Sequence, residues 1–383
     1  MRNFHLTTIW GIPIRIHVSL LVLLPVLVWA IAAGGQIDLY AGPIDALAPA
    51  ALDLAALREG STPWLIGLAG AIGLFVSVAA HELGHAYAAR RYDIGTESIT
   101  LWIFGGLAAL ESMPREWNRE FWIALAGPIT SVLLAGLFAG ILQVVPGELP
   151  IVLFVVGWLA LINVVLAVFN MLPAFPMDGG RVLRALLGRR RSYVSATRIA
   201  ARIGTIFALL FAVVGVMGGN PILVLVALFV YAAATTESRT IVLEELLRGV
   251  IAADVMDGPA RTVSADATLS DVASTLFENR RSEFVVTDGE AVVGLVTLSD
   301  LGRVDRSDFE ATTVREVMTD EVARVDLETP AFEVLRVMGQ APLVVVLEDD
   351  DDLVGTVSRR DLGDVMQLRR ELGAPGPFER TAM

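Results

Sequence analysis

The chain has 383 residues, 55% of them hydrophobic, and a mean hydropathy of +0.63, which is too apolar for an ordinary soluble protein and points to a polytopic membrane protein. Its formal net charge is −13 and it has no cysteine, which excludes disulfides and thiolate metal ligands. With that balance and no basic stripe, nucleic acid is not an expected partner. The charge is unevenly spread: residues 1–248 carry 16 arginines against 15 carboxylates, whereas residues 249–383 carry 13 against 27. The chain therefore reads as a near-neutral membrane part followed by a strongly acidic soluble part. There is no lysine; all 29 basic residues are arginine. An acid-rich, lysine-free soluble part fits adaptation to high salt, where cations solvate the carboxylates. A GC-rich genome also favours arginine over lysine but explains the acidity less well.

Residues 1–15 are a short leading segment with Arg2 and Arg15. A first span is expected over 16–33, with His17 and Ser19 in its opening turn, and His17 reads as a structural polar residue at the helix entrance. The Trp29-Ala30-Ile31-Ala32-Ala33 end of this span faintly resembles a signal-peptide cleavage site. Residues 34–63 read as a loop, carrying Asp38, Asp45, Asp53 and Glu59 against a single Arg58. Further spans are expected over 64–89, 121–145, 151–171, 199–217 and 221–235, the last of them short against the ~20 residues that cross the hydrocarbon core. Gly218-Gly219-Asn220-Pro221 makes a tight turn before it. The arginines concentrate in loops 91–120 and 172–198, while loops 34–63 and 146–150 hold only Arg58. By the positive-inside rule the N-terminus, the arginine-rich loops and the acidic tail are cytoplasmic.

The second span is apolar almost throughout until His81-Glu82-Leu83-Gly84-His85, and it ends at Arg90 and Arg91. Two histidines at i and i+4 share one face of a helix, close enough for their ring nitrogens to hold one metal ion. The glutamate between them points to the side, where it can take a proton from the attacking water. Half of the four histidines in the chain fall in this one turn. A chance match is the alternative, but ionisable groups inside a membrane helix are costly, so a purely structural His-Glu-His cluster is hard to sustain there. His85 lies five residues before Arg90, so the metal would sit roughly 7 Å inside the cytoplasmic end of the helix.

A catalytic zinc takes three protein ligands. His5 and His17 lie in the N-terminal segment, so the best remaining ligand is Asp178, in Asn170-Met171-Leu172-Pro173-Ala174-Phe175-Pro176-Met177-Asp178-Gly179-Gly180. The two prolines end the preceding span and present the carboxylate on non-helical backbone, which is tolerated at membrane depth only where protein or a cavity surrounds it. The competing reading is that Asp178 merely caps a helix running from Arg181.

With these motifs go Phe104-Gly105-Gly106 and Ala126-Gly127-Pro128, and the set resembles, in family order over roughly residues 10–235, the site-2 protease family of intramembrane zinc metalloproteases. The resemblance implies zinc on His81, His85 and Asp178, Glu82 as general base, and cleavage of a membrane-spanning protein substrate. It also implies that Asn170 positions substrate or stabilises an oxyanion. Asn163, one heptad earlier, faces the same way or bonds a neighbouring helix. The apolar segment 98–112 is too short to span and looks like the re-entrant β segment of that family, whose edge can pair with unwound substrate.

The tail contains a repeat. Val255-Met256 recurs at Val317-Met318, and the run from Gly294 to Leu301 recurs from Gly355 to Leu362. Helical stretches (269–279, 330–340) and β-rich runs (284–286, 343–347) lie between them, and the run of aspartates at 349–352 reads as a solvated hairpin tip. This resembles a tandem CBS-domain pair, which implies adenine nucleotide (AMP or ATP) binding, with Thr297 and Ser358 on phosphate and Asp300 and Asp361 on ribose hydroxyls. It also implies a homodimer formed through the pair.

The expected architecture is a polytopic α-helical membrane domain of about six transmembrane helices (residues 1–237), a linker (238–249), a cytoplasmic α/β tandem CBS module (250–370) and a C-terminal tail (371–383). The expected function is an intramembrane zinc endopeptidase of the cell membrane, regulated through the CBS pair. A CBS-gated transporter and a catalytically silent binding relative are the alternatives. The intact H-E-x-x-H with its downstream Asp-Gly-Gly argues against the first, and the intact Glu82 against the second.

Overall fold

The computed structural model describes residues 3–103, 105–112, 114–258, 260–279, 283–339, 341–348 and 352–372. Phe104, most of the aspartate run at 349–352 and residues 373–383 lie outside the described residues. The chain forms two compact units, 1–239 and 240–383.

The first unit opens with β1 (Asn3–Ile9) and β2 (Ile12–His17), an antiparallel hairpin where the sequence suggested only a leading segment. α1 (Val18–Ala33) follows, and His17 caps it by accepting from the Ser19 amide. α1 has 16 residues, about 24 Å, and is too short to cross the ~30 Å hydrocarbon core alone. After Gly35, at a positive φ of 75°, the chain turns by 66° into α2 (Gln36–Leu47). The expected loop at 34–63 is therefore corrected: it holds α2 and the short α3 (Leu54–Arg58). The physical reason is a buried stripe at helical spacing, Ile37, Ala41 and Ile44, which Asp38, Gly42, Pro43 and Asp45 mask in a hydropathy reading. Ile37 and Ile44 join one apolar cluster with Phe154 and Trp158.

α4 (Thr62–Arg90) carries the H-E-x-x-H, and β3 (Thr96–Trp102) and β4 (Gly105–Leu110) pair antiparallel where a re-entrant β segment is expected at 98–112. The sheet order is β1-β2-β3-β4, with β2 and β3 parallel, so β4 is an edge strand. Ile99 and Leu101, alternate residues of β3, are buried with Val78 and Ala86 of α4, which fixes the sheet beside the histidines. The remaining elements are α5 (Trp117–Leu142), α6 (Pro150–Asn170), α7 (Asp178–Gly188), α8 (Tyr193–Met217) and α9 (Pro221–Leu246). Five helices, α4, α5, α6, α8 and α9, are long and apolar enough to cross a membrane, and the bent α1–α2 pair would make a sixth. This is a multi-pass membrane architecture. α9 runs 26 residues, well past the expected end at 235. Helix and hydropathy part there because Thr235 returns its hydroxyl to the Tyr231 carbonyl and Glu237 finds a buried arginine.

The second unit repeats one arrangement twice. The first copy comprises α10 (Ala252–Val255), β5 (Thr262–Ser264), α11 (Leu269–Asn279), β6 (Glu283–Asp288), β7 (Ala291–Thr297) and α12 (Leu298–Leu301). The second comprises α13 (Val314–Val317), β8 (Arg324–Asp326), α14 (Ala331–Met338), β9 (Leu343–Leu347), β10 (Leu353–Ser358) and α15 (Arg359–Leu372). Each three-stranded sheet has one parallel and one antiparallel pairing in the same order. The copies interlock, since Leu247, Val250, Ala252 and Val255 pack into the core of the second copy with Val334, Val344 and Leu362.

The acidic excess of this unit makes its stability salt-dependent. Exposed pairs such as Arg315 with Asp266 and Asp288 lose strength in salt, but across residues 240–383 the 29 carboxylates outnumber the 14 arginines, so relief of repulsion prevails. Isolated residues 240–383, which retain Leu247, should melt at rising temperature as KCl is added. A melting temperature indifferent to salt would remove the high-salt inference.

Candidate metal centre

His81 and His85 sit one turn apart on α4, buried at 3% and 5% exposure. Their Nε2 atoms are 3.2 Å apart. Asp178 Oδ2 lies 3.0 Å from His81 Nε2 and 3.1 Å from His85 Nε2. Among the described residues these three form the one group of His and carboxylate side chains close enough to hold a metal ion.

α5 orients both rings. His85 Nδ1 donates to the Ile123 carbonyl at 2.7 Å; a carbonyl can only accept, so Nδ1 carries a proton and Nε2 is the nitrogen turned toward Asp178. His81 Nδ1 meets Ser131 Oγ at 2.8 Å. Such outer partners fix tautomer and ring direction for metal ligation. The donor set of two nitrogens and one carboxylate oxygen suits zinc, and zinc bonds of ~2.0–2.1 Å in a tetrahedron separate ligand atoms by about 3.3 Å. The three separations of 3.0, 3.1 and 3.2 Å fit that spacing. Gly127 of α5 provides the space: a Cβ there would fall within 2.6 Å of His81 Nε2 and closer still to His85.

Asp178 is the first residue of α7, whose N-cap is Met177. Its carboxylate is directed at the histidines, so helix capping does not account for it. α6 ends at Asn170, and the proline-containing turn then brings the chain back to this point. Gly179 and Gly180 permit the turn to close, because a Cβ on either would strike the backbone of residues 171–175.

Glu82, one position after His81, reaches β4, where its Oε2 accepts from the Ala108 amide at 3.1 Å. Gly106 leaves room for its side chain. Glu82, His81, His85, Asp178 and Asn170 line one cavity of about 440 Å³, walled by apolar residues that include Leu107, Phe169, Phe211 and Phe229. This is the form of a small-molecule or peptide site, apolar walls with a few convergent polar groups. The Asn170 amide donates to the Leu166 carbonyl of its own helix at 3.0 Å, leaving its second N–H for the cavity. Asn163 instead bonds Ser77 of α4, and His5 pairs with Thr8.

Sequence reasoning did not find Ser131, the Ile123 carbonyl or the Ala108 amide. It noted Gly127 only as part of a motif, and nothing in the chain before folding signals the other three.

In the tail the four residues carried over from the CBS resemblance satisfy one another locally. Thr297 donates its amide and hydroxyl to Asp300 at 2.9 and 2.6 Å, and Ser358 does the same to Asp361 at 2.8 and 2.7 Å. The spacing is that of a helix capping box, a signal present in the sequence. A cleft of about 160 Å³ is lined by Ser358, Thr356, Asp257, Arg261 and Glu283, but not by Thr297.

Residues 69–150 and 148–211 match peptidase family M50, and residues 252–305 and 314–367 each match the CBS domain. A zinc metalloprotease of Methanocaldococcus jannaschii is 30% identical over 378 residues, covering 97% of this chain and 98% of its own. A Mycobacterium tuberculosis protein named as a zinc metalloprotease, Rip3, is 34% identical over 400 residues, covering 97% and 94%. Among solved structures, the site-2 protease from Methanocaldococcus jannaschii aligns at 32% identity over 62% of this chain and 96% of that chain, with a TM-score of 0.43.

Proposed function

Since the chain belongs to peptidase family M50, the site-2 protease family of zinc metalloproteases, we propose that His81, His85 and Asp178 are its zinc ligands and Glu82 its general base. The observation that carries this is the convergence of the three ligand atoms at 3.0–3.2 Å, with Glu82 opening into the same apolar cavity. Zinc, when bound, supplies a Lewis acid that polarises the scissile carbonyl and makes water a better nucleophile. Glu82 takes the proton of the attacking water and passes it to the departing nitrogen. Asn170, which lines the same cavity, stabilises the oxyanion through its second N–H. Asp178→Ala is expected to lower zinc occupancy of the purified protein; full occupancy would mean that the third ligand lies elsewhere.

The substrate is a membrane-spanning protein segment. Two features support this: the site lies within apolar helices, and edge strand β4 lines the cavity through Gly106, Leu107 and Ala108. A helical peptide bond is shielded by its own hydrogen bonds, so a substrate segment unwinds and pairs along β4 as an added strand. The arginine distribution supports cytoplasmic placement of the N-terminus, the loop after α4 and the acidic tail.

The CBS pair serves as the regulatory module, with adenine nucleotide as its ligand and pairing with a second copy as its mode of assembly. The cleft at Ser358 is below the ~300–1,000 Å³ of ordinary ligand pockets, so binding requires it to widen. Two carboxylates against Arg261 favour the less charged nucleotides, AMP over ATP. Calorimetry at high salt should show AMP binding that Ser358→Ala weakens. No heat with either nucleotide, or binding indifferent to Ser358, would end the nucleotide reading. Equal cleavage rates with and without bound AMP would end the regulatory one.

A further inference from the structure

Glu120, Ile123, Gly127 and Ser131 form one buried stripe along α5, at spacings of three, four and four residues. Three of them serve the metal centre directly: Ile123 and Ser131 hold the two histidine rings, and Gly127 makes room for them. The fourth, Glu120, touches none of the ligands. It accepts from Arg184 Nε at 2.5 Å.

Arg184 is 1% exposed and the largest fully buried side chain among the described residues. It lies on α7, six residues after Asp178, about 9 Å along the helix. Its Nη1 donates to Glu237 of α9 at 2.7 Å. Its guanidinium stands 5.0 Å from the ring of Phe175 and 4.8 Å from that of Tyr193. Phe175 is itself buried, in the turn three residues before Asp178. Arg184 thus grips the chain on both sides of Asp178.

We propose that Arg184 is a positioning residue for the zinc centre: held by Glu120 and Glu237, it fixes the start of α7 and sets Asp178 against His81 and His85. All three ligands are then referenced to one helix, α5. His81 is held through Ser131, His85 through Ile123, and Asp178 through Arg184 and Glu120. Simple packing of α7 does not call for charge. Burying ions costs desolvation, and apolar side chains of equal volume hold helices together as well or better. What the planar guanidinium adds is direction, since a fork of fixed N–H bonds between two carboxylates resists sliding and rotation that apolar contacts permit.

The inference rests on the zinc reading of the site. It is tested on the full-length protein by measuring the zinc dissociation constant through chelator competition and the absorption bands of the Co²⁺-loaded protein. Arg184→Met should weaken zinc by about tenfold, the low end of the ~10–100-fold seen for partners that orient ligands, and should alter the Co²⁺ bands. Arg184→Lys should recover part of the affinity, because the charge returns without the fork. Glu237→Gln should shift affinity in the same direction by less. Arg58→Gln, at an exposed pair with Asp38, should leave both readouts unchanged. Wild-type affinity and spectrum in Arg184→Met overturns the proposal. Should that variant fail to fold, wild-type values in both Arg184→Lys and Glu237→Gln overturn it. Absence of zinc binding by the unmodified protein would instead sink the metal reading itself.

Discussion

Glu82→Gln is expected to leave zinc content unchanged and to reduce cleavage by about 10²–10⁴-fold, the contribution of a positioned general base. The substitution is close to a pure removal of basicity. Glutamine has the volume of glutamate, and its amide oxygen can still accept from the Ala108 N–H, so the contact between α4 and β4 is kept. Glu82 is not one of the three residues whose ligand atoms converge, so metal binding has no reason to change. Zinc analysis and cleavage of a membrane-peptide substrate, run on the same preparation, check both halves. Loss of zinc, or unimpaired cleavage, would contradict the role assigned to Glu82.

Gly127→Ala is expected to cost the protein its zinc. A single methyl group at this position falls within 2.6 Å of His81 Nε2 and overlaps His85 more severely, so at least one ring must leave its place. Neither ring can yield freely, because Ser131 and the Ile123 carbonyl anchor their far nitrogens to the same helix that carries residue 127. Intrinsic propensity pulls the other way: alanine is a better helix former than glycine by about 1 kcal/mol. A variant with normal helical content but little zinc is therefore the expected result. Full zinc occupancy would show that the rings do not sit against α5 as described.

The candidate metal centre is largely legible in the sequence because each of its two motifs is local. The i, i+4 histidine pair needs only a helix, and the proline-rich turn before Asp178 is a breaker that any reading of the chain meets. What orients those ligands was not legible. The partner of His81 is 50 residues away and that of His85 is a backbone carbonyl 38 residues away, so neither carries a local signal. The same limit hid the Arg184 network, in which Glu120 and Glu237 are 64 and 53 residues from their partner. In the fold, the errors fell where hydropathy and packing diverge. α2 buries Ile37, Ala41 and Ile44 behind a surface of acidic and turn-forming residues, and α9 continues through a polar stretch because Glu237 is paired. The N-terminal hairpin was missed because Ile12 and Ile14 alternate over too few residues to stand out. In the tail, the Thr297–Asp300 and Ser358–Asp361 spacings are legible as capping boxes, and in the structure each caps the helix that follows, a role that leaves ligand contact open to test.

The most direct test is to strip the purified full-length protein with a chelator and follow metal content and cleavage of a transmembrane peptide together. The expected result is one zinc per chain before treatment, loss of cleavage in step with its removal, and recovery when zinc is returned. Cleavage that persists in the zinc-free protein would contradict a catalytic centre built on His81, His85 and Asp178.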